Sequence, residues 1–306
     1  MTITLASYNI QYGVGKDGRF DLSRIVAELG EADIIALQEV EIGNPRKGLV
    51  DQPAELSRQL GHPHWSFGAG VDIYLGESVP GGYPGLRRKF GNMVLSRWPL
   101  LSVVHHTLPK RAIAGATHLQ RTAMEAVIAT PEGPLRLIAG HLDHISPETR
   151  MPQVTMLRDL VLAPQRRGAP WVGVPGNAAG FGDPEIPWPV DCLLIGDMNF
   201  APDGPEYRHL TCGGPTETAA DPAGRLHDCW VLTGHDAAQG VTFIRPERKQ
   251  ERLDHCFVTP GLVPAVRSMR IDAAALGSDH QPIFVALELS GYGAETLSPA
   301  LSGGAS

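Results

Sequence analysis

Short apolar runs, most of them followed by a polar or acidic residue, recur along almost the whole of this sequence. Residues 2–10 and 34–40 are the first two runs, and between them residues 22–29 carry apolar side chains at helical spacing. This order predicts a β-α-β start. Six later runs are also typical of strands, namely 91–96, 121–129, 135–140, 192–195, 256–259 and 283–289.

Strand-like segments outnumber helix-like ones in this chain. Only residues 52–60 and 149–162 join 22–29 as helix candidates, and Gly and Pro interrupt the runs between them. A chain of this kind buries its apolar faces by packing two sheets together with helices outside them. We therefore predict an α/β (α+β) fold with two packed sheets, in which residues 1–290 form a single domain.

Two segments depart from this pattern. Residues 163–190 are crowded with Pro and Gly and include Trp171, Phe181 and Trp188. A connection longer than about 12 to 15 residues without secondary structure is uncommon in a compact domain and is often functional, although a surface excursion that packs on itself is the alternative. Residues 291–306 are small and polar, which predicts a disordered tail.

Bulk composition argues against several classes of protein. No window approaches the run of about 20 apolar residues that spans a bilayer, and residues 1–9 are too short and too polar for a signal peptide, so we expect a cytoplasmic protein. The 4 cysteines show no paired CxxC spacing, which argues against a zinc site or a disulfide framework. The net charge of -7 provides no global basic field to attract nucleic acid.

Polar side chains at the ends of the strand-like runs are the candidates for chemistry. Asp197 and Asn199 follow the run 192–195, and their two-residue spacing points both to one face of an extended chain. A carboxylate there can accept a proton from water, and an amide can donate to a phosphate oxygen. Turn capping is the alternative for an isolated Asp-x-Asn.

The segment 141–144 shows the same spacing. His141 and Asp143 would share one face, with His144 directed to the opposite side. Asp279 and His280, which follow Gly277, both reach one site only if they lie in a loop.

Glu39 stands at the end of a strand that should be buried on both faces, where a carboxylate is costly unless it is hydrated or paired with a cation. A solvated strand end is the alternative, and Asn9 taken alone is a turn residue. Together, the candidates are rich in oxygen, contain no cysteine and include too few histidines for zinc. Such a set suits a hard cation, Mg²⁺ or Mn²⁺.

The order and strand context of these motifs resemble the endonuclease/exonuclease/phosphatase superfamily over roughly residues 2–289. The resemblance rests on Asn9, Glu39, His141, Asp197-Met198-Asn199, Asp254 and Ser278-Asp279-His280. It implies a four-layer α/β sandwich with two central mixed, mainly antiparallel sheets flanked by helices. It also implies an active site at one edge of the sandwich and a divalent cation as cofactor.

By motif position, the resemblance implies a metal site made by Asn9, Glu39 and Asp279, with Glu39 as the chief ligand. Asp197 would orient or deprotonate the attacking water. Asn199 would hold a phosphate oxygen.

The remaining roles implied by the resemblance concern the phosphoryl group. His280 would contact it, Asp254 would fix the His280 ring, and His141 would supply a second donor. We also assign Arg121 and Asp143 to substrate binding, with a surface salt bridge as the alternative for Arg121.

We expect a hydrolase of a small-molecule or lipid-like phosphate ester, either a diester or a monoester. The sequence leaves the oligomeric state open, with a monomer as the default. A DNA or RNA nuclease is the alternative, supported by the basic groups Arg87-Arg88-Lys89, Arg166-Arg167 and Arg248-Lys249. A catalytically silent binding protein is the second alternative, because a fold does not guarantee a function.

Overall fold

The protein, described here from a computed structural model, contains two six-stranded sheets. The structure describes residues 1–115, 117–162, 164–171, 186–212, 224–245 and 247–290. Among these residues, no helix is both long enough and apolar enough to cross a membrane. The described cysteines form no disulfide.

The strands are β1 (Thr2–Asn9), β2 (Ile34–Ile42), β3 (His64–Tyr74), β4 (Arg87–Ser96), β5 (Leu100–Thr107), β6 (Thr122–Thr130), β7 (Gly133–His141), β8 (Cys192–Asp197), β9 (His227–Asp228), β10 (Asp254–Val258), β11 (Val266–Ile271) and β12 (Ile283–Glu288). The helices are α1 (Leu22–Leu29), α2 (Gln52–Leu60), α3 (Pro147–Leu162), α4 (Pro164–Arg167), α5 (Pro205–Thr211) and α6 (Cys229–Leu232).

The first sheet has the strand order β11-β12-β1-β2-β4-β3, and the second has the order β5-β6-β7-β8-β10-β9. Each sheet contains one parallel pair, β1 with β2 and β7 with β8, while the other neighbours are antiparallel. The parallel pairs are joined through α1 and α3, as a parallel connection requires a crossover.

Three apolar clusters separate four layers of structure. The central cluster takes residues from both sheets, such as Leu5 and Leu137. A second cluster packs α3 and α5 on the outer face of the second sheet, and a third packs α1 and α2 on the outer face of the first. The predicted four-layer α/β sandwich is confirmed.

The 163–190 segment lies partly outside the described residues, and the predicted tail 291–306 lies wholly outside them. Arg136 holds the two ends of this segment together, because its Nη2 donates to the carbonyl oxygens of Val161 (2.8 Å) and Val190 (2.7 Å). Arg136 pairs with Cys192, the first residue of β8, whereas the motif residue Asp197 is the last. Both ends of the segment therefore lie at the end of the second sheet that is opposite the motif residues.

Candidate active site

Strand register brings three motif residues side by side at one end of the second sheet. His141 is opposite Asp197 across the β7–β8 pair, and Asp254 is opposite Asp197 across the β8–β10 pair. The side chains alternate along each strand, and these three share the parity of the residues in the central cluster. They therefore point into the space between the two sheets.

Asp197 lies at the centre of the site. Its Oδ2 accepts a hydrogen bond from Asn9 Nδ2 at 2.9 Å and lies 3.3 Å from His141 Nε2 and 3.7 Å from His280 Nε2. Burial alone raises the pKa of Asp197, but the two histidines and the hydrogen bond from Asn9 hold this pKa well below its usual range. Asp197 is thus a buried, ionised carboxylate.

His280 is fixed from both sides. Its Nδ1 lies 2.8 Å from Asp254 Oδ2, and the Phe243 ring packs against the imidazole with centroids 5.1 Å apart. Burial lowers the pKa of His280, but the carboxylates of Asp254 and Asp197 together raise it to about 10. His280 is therefore protonated on both ring nitrogens near neutral pH, with Nε2 available as a charged donor.

His141 has the opposite protonation state. Arg121 Nη1 donates to His141 Nδ1 at 3.1 Å, so Nδ1 carries no proton and Nε2–H faces Asp197. Burial, followed by the Arg121 charge, lowers the pKa of His141. The site thus combines one charged and one neutral imidazole.

Glu39 occupies a β-bulge, where the register of β2 against β4 shifts between Leu37 and Val40. It has a left-handed backbone (φ 59°), which directs its half-buried side chain into the cleft. The charge of Glu39 and burial raise the pKa of Tyr12 above its usual value, and Asp279 adds to this shift. Both carboxylates therefore lie near enough to the Tyr12 hydroxyl to raise its pKa.

The oxygen donors around Tyr12 fit a hard cation. Glu39 and Asp279 both line the cleft, and Asp279 Oδ2 accepts from Arg245 Nε at 2.6 Å, which shows that this carboxylate attracts a cationic partner. Asp197, Asp254 and His280 also offer donor atoms within 4.8 Å of one another and can hold a metal ion. Asp254, however, is fully buried and its Oδ2 is engaged by His280 Nδ1 at 2.8 Å, so the carboxylates near Tyr12, which line the cleft, suit the cation better.

Backbone strain is concentrated around this cleft. Five non-glycine residues among those described have positive φ, and four of them line the cleft, namely Gln11, Tyr12, Glu39 and Asn199. Such conformations are costly and persist mainly where the surrounding structure holds them at a functional site.

The cleft has a volume of about 650 Å³. It brings together eight of the ten residues predicted from the sequence: Asn9, Glu39, Arg121, His141, Asp197, Asn199, Asp279 and His280. Asp254 is fully buried behind His280 and does not line it.

Asp143 is not brought into the cleft. Side chains two residues apart share a face only in an extended chain, but β7 ends at His141 and the chain turns. The Asp143 side chain is fully buried, where Oδ1 accepts from the Ile145 N–H at 2.6 Å and Oδ2 pairs with His118. The cleft is lined instead by His144, which the spacing had directed away from His141.

Asn199 reaches the cleft through a turn rather than through strand alternation. Its backbone N–H donates to Asp197 Oδ1 at 3.0 Å, and its Nδ2 donates to the Leu142 carbonyl at 3.0 Å. These bonds leave the second Nδ2 hydrogen for a ligand. The Asp-x-Asn motif therefore caps a turn, and both of its side chains also line the cleft.

Sequence reasoning overlooked three residues of the site, Tyr12, His144 and Arg245. His144 lies within the motif 141–144, and its position next to two candidate residues could have indicated it. Strand alternation instead directed its side chain away from His141. Tyr12 and Arg245 lie outside the apolar runs, and no spacing in the sequence indicates them.

Comparisons with known proteins agree with this geometry. Residues 6–280 match the model of the Endonuclease/Exonuclease/phosphatase family. No curated protein matches the chain.

Several solved structures share the fold. An endonuclease/exonuclease/phosphatase from Beutenbergia cavernae has 23% identity and a TM-score of 0.64, covering 98% of this chain and 72% of that one. A second, from Bacteroides vulgatus, has 18% identity and a TM-score of 0.58, covering 94% and 99%. Truncated TDP2 from Caenorhabditis elegans has 15% identity and a TM-score of 0.55, covering 94% and 97%.

Proposed function

The chain belongs to the endonuclease/exonuclease/phosphatase family, and from this premise we propose that it hydrolyses a phosphate ester by in-line attack of an activated water. The observation that carries the proposal is the pairing of an ionised carboxylate, Asp197, with a charged imidazole, His280, in one cleft. Phosphoryl transfer depends mainly on positioning and on neutralising oxygen charge, and this pair supports both. In this proposal residues 1–290 act as one catalytic domain.

The cation would be held by Glu39, Asp279 and the Asn9 amide oxygen, and its oxygen ligands favour Mg²⁺ or Mn²⁺. When bound, such a cation neutralises charge on the phosphoryl oxygens and on the leaving oxygen.

Asp197 would act on the attacking water. Its carboxylate is ionised and is oriented by Asn9 and His141, so it can accept a hydrogen bond from the attacking water and orient that water against the phosphorus. Asn199 would hold a phosphate oxygen through its second Nδ2 hydrogen.

His280 would donate its Nε2–H to a phosphoryl oxygen, since Asp254 holds the other ring nitrogen. His141, kept neutral by Arg121, would direct its Nε2–H toward the same region without adding charge. A charged and a neutral donor would thus meet the charge that develops in the transition state.

We propose a small-molecule or lipid-like substrate, on the basis of the net charge of -7. A nuclease is the second candidate because Arg245, Arg248 and Lys249 line the cleft. The other basic groups give less support, as Arg88 pairs with Glu41 at 2.6 Å and Arg167 with Glu125 at 3.2 Å.

The test is a parallel assay of bis-p-nitrophenyl phosphate, p-nitrophenyl phosphate and plasmid DNA, with Mg²⁺ or Mn²⁺ and with chelator. We expect turnover that the chelator abolishes and that the Glu39→Gln variant lacks. Preference for a nitrophenyl ester would favour the small-molecule or lipid-like substrate, and preference for plasmid DNA would favour the nuclease. Turnover that survives both the chelator and the substitution would refute the metal-dependent mechanism.

A further inference from the structure

The carboxylate of Asp279 already has a cationic partner within the chain. Arg245 Nε donates to Asp279 Oδ2 at 2.6 Å, and both residues line the cleft. Glu39 is the other carboxylate proposed to hold the cation, and it forms no ion pair in the part of the chain that the structure describes. The two proposed ligands therefore differ, because only Asp279 is occupied by a charge of the protein.

The backbone before Arg245 is fixed next to Asp279. Ile244 N–H donates to the Asp279 carbonyl oxygen at 2.8 Å, and Phe243 forms a β-bridge with His280. Arg245 follows these two residues, so main-chain hydrogen bonds hold its Cα close to the Asp279 carboxylate. Its side chain can nevertheless leave the carboxylate without any change in this backbone pairing.

The Arg245 side chain has room to move. It is 39% exposed, and its guanidinium carbon lies 5.8 Å from the centroid of the Phe243 ring. The pair of Arg252 with Asp228, at 2.9 Å, is different because both of its side chains are only 1% exposed. Ion pairs of partly exposed groups contribute little to stability. The Arg245–Asp279 pair can therefore be broken without loss of the fold.

A guanidinium and a divalent cation compete for the same carboxylate. The Arg245 Nε–H occupies a lone pair of Asp279 Oδ2 that a cation would use. The guanidinium charge also repels a cation at close range. Since Mg²⁺ and Mn²⁺ bind through carboxylate oxygens, the cation gains Asp279 as a ligand only if it displaces Arg245.

We infer that Arg245 is a built-in counter-ion of Asp279 that the cation displaces, so that this arginine lowers the metal affinity of the site. Without metal, Arg245 neutralises Asp279 in a cleft that also contains Glu39 and Asp197. With metal, the guanidinium leaves Asp279 for the open part of the cleft. The inference deepens the proposed function and rests on its assignment of Glu39 and Asp279 to the cation.

Calorimetric titration of Mn²⁺ into the full chain compares the unmodified protein with Arg245→Met. We expect the variant to bind Mn²⁺ about ten-fold more tightly, because the cation no longer competes with the guanidinium. Arg248→Met is the matched control. It removes the same charge from the cleft lining without freeing Asp279, so its affinity should stay within about two-fold. Arg245→Gln removes the same charge and takes the place of Arg245→Met if that variant does not fold.

A second measurement follows the displacement itself in the unmodified protein. Nitrogen-15 NMR detects the Nε–H group of Arg245, whose signal is identified by its absence from Arg245→Met. As Mg²⁺ is added, we expect this signal to move to the position of a solvent-exposed guanidinium. This readout does not depend on turnover.

Three results would overturn the inference. Equal or weaker Mn²⁺ binding by Arg245→Met would mean that Arg245 does not compete with the cation. An equal gain from Arg248→Met would assign the effect to the general charge of the cleft. An Arg245 signal that is unchanged at saturating Mg²⁺ would mean that the ion pair persists.

Glu39→Gln separates these failures from a failure of the proposed function. If Glu39→Gln weakens Mn²⁺ binding but Arg245→Met does not strengthen it, the metal site stands and only the inference about Arg245 fails. If Glu39→Gln leaves Mn²⁺ binding unchanged, or the unmodified protein binds no Mn²⁺, the proposed metal site fails and the inference fails with it.

Discussion

Two buried arginines, Arg136 in β7 and Arg121 just before β6, have opposite surroundings. Arg136 is fully buried at the end of β7 remote from the cleft, where Nη1 donates to Glu125 Oε1 at 2.9 Å and Nη2 to two carbonyl oxygens. Arg121, at the cleft end, has two neutral imidazoles and no ion pair among the described residues.

The difference separates a charge that is balanced inside the fold from one that lies beside the cleft with no carboxylate partner among the described residues. Glu125 balances Arg136 and also contacts His106 at 2.8 Å and Arg167 at 3.2 Å, so removing Glu125 leaves the fully buried Arg136 without a counter-charge. Arg121 leaves no carboxylate unpaired when it is removed. Substitutions at four positions, in order of expected effect, test whether stability depends on the Arg136 end of the second sheet and activity on the cleft end.

Glu39→Gln should abolish function at the cleft end without unfolding the protein. We expect a fall in kcat/KM of at least about 10³-fold, because the variant lacks the residue proposed as chief metal ligand and with it several kcal/mol of transition-state stabilisation. Metal titration followed by calorimetry should show the weaker binding directly.

Glu39→Gly is the control for backbone strain at the same position. Glycine accepts the positive φ of residue 39 without strain. The free energy of unfolding of the Glu39→Gly variant should therefore rise by about 1 kcal/mol, while its activity is still lost. A marked drop in stability for both variants would mean that Glu39 maintains the fold, and the contrast between the two ends would fail.

Arg136→Met should lower the free energy of unfolding by about 3 kcal/mol, the lower end of the range for a broken buried pair, since Glu125 loses its fully buried partner but keeps Arg167 and His106. Urea unfolding measures this loss in the free energy of unfolding. Turnover per folded molecule should stay within about two-fold, which is below 0.5 kcal/mol of barrier. The double variant Glu125→Gln/Arg136→Met should recover part of the stability, and no recovery would refute the charge-balance explanation.

Arg121→Met should reduce stability by no more than about 1 kcal/mol, as it breaks hydrogen bonds to two imidazoles but leaves no unpaired carboxylate. Urea unfolding of Arg121→Met and Arg136→Met under the same conditions compares their losses in the free energy of unfolding directly. Equal losses for the two variants would remove the distinction between an arginine that a carboxylate balances and one without a carboxylate partner.

Lys249→Met should have the smallest effect, because Lys249 is exposed and pairs with Glu251 at 2.7 Å. We expect KM to rise by about two- to three-fold at low salt and the difference to disappear at high salt, as screening predicts. A much larger, salt-sensitive effect on plasmid DNA than on a nitrophenyl ester would instead favour the nuclease candidate.

The sequence was informative about the interior of each sheet and uninformative about the edges. All eight strands predicted from apolar runs occupy interior positions, and the four overlooked strands, β3, β5, β9 and β11, are the four sheet edges. Edge strands have one partner and more exposed side chains, as the mixed burial of β3 and β11 shows, so they lack a continuous apolar run.

The candidate site divides in a similar way. Strand parity and register hold for His141, Asp197 and Asp254 because all three lie within strands. The same reasoning failed for Asp143 and His144, which lie just past the end of β7, where turn geometry replaces alternation. Sequence periodicity is reliable only as far as the regular hydrogen-bonding pattern continues.

The sequence by itself determined the β-rich α/β fold, the order of the motifs and the oxygen-rich composition of the site, since these depend on local periodicity and residue chemistry. Only the tertiary structure decided which side chains share the cleft, which imidazole is charged, and that Arg121 has no counter-ion among the described residues. Protonation and charge balance depend on burial and on neighbours distant in the chain, and no single segment of sequence contains that information.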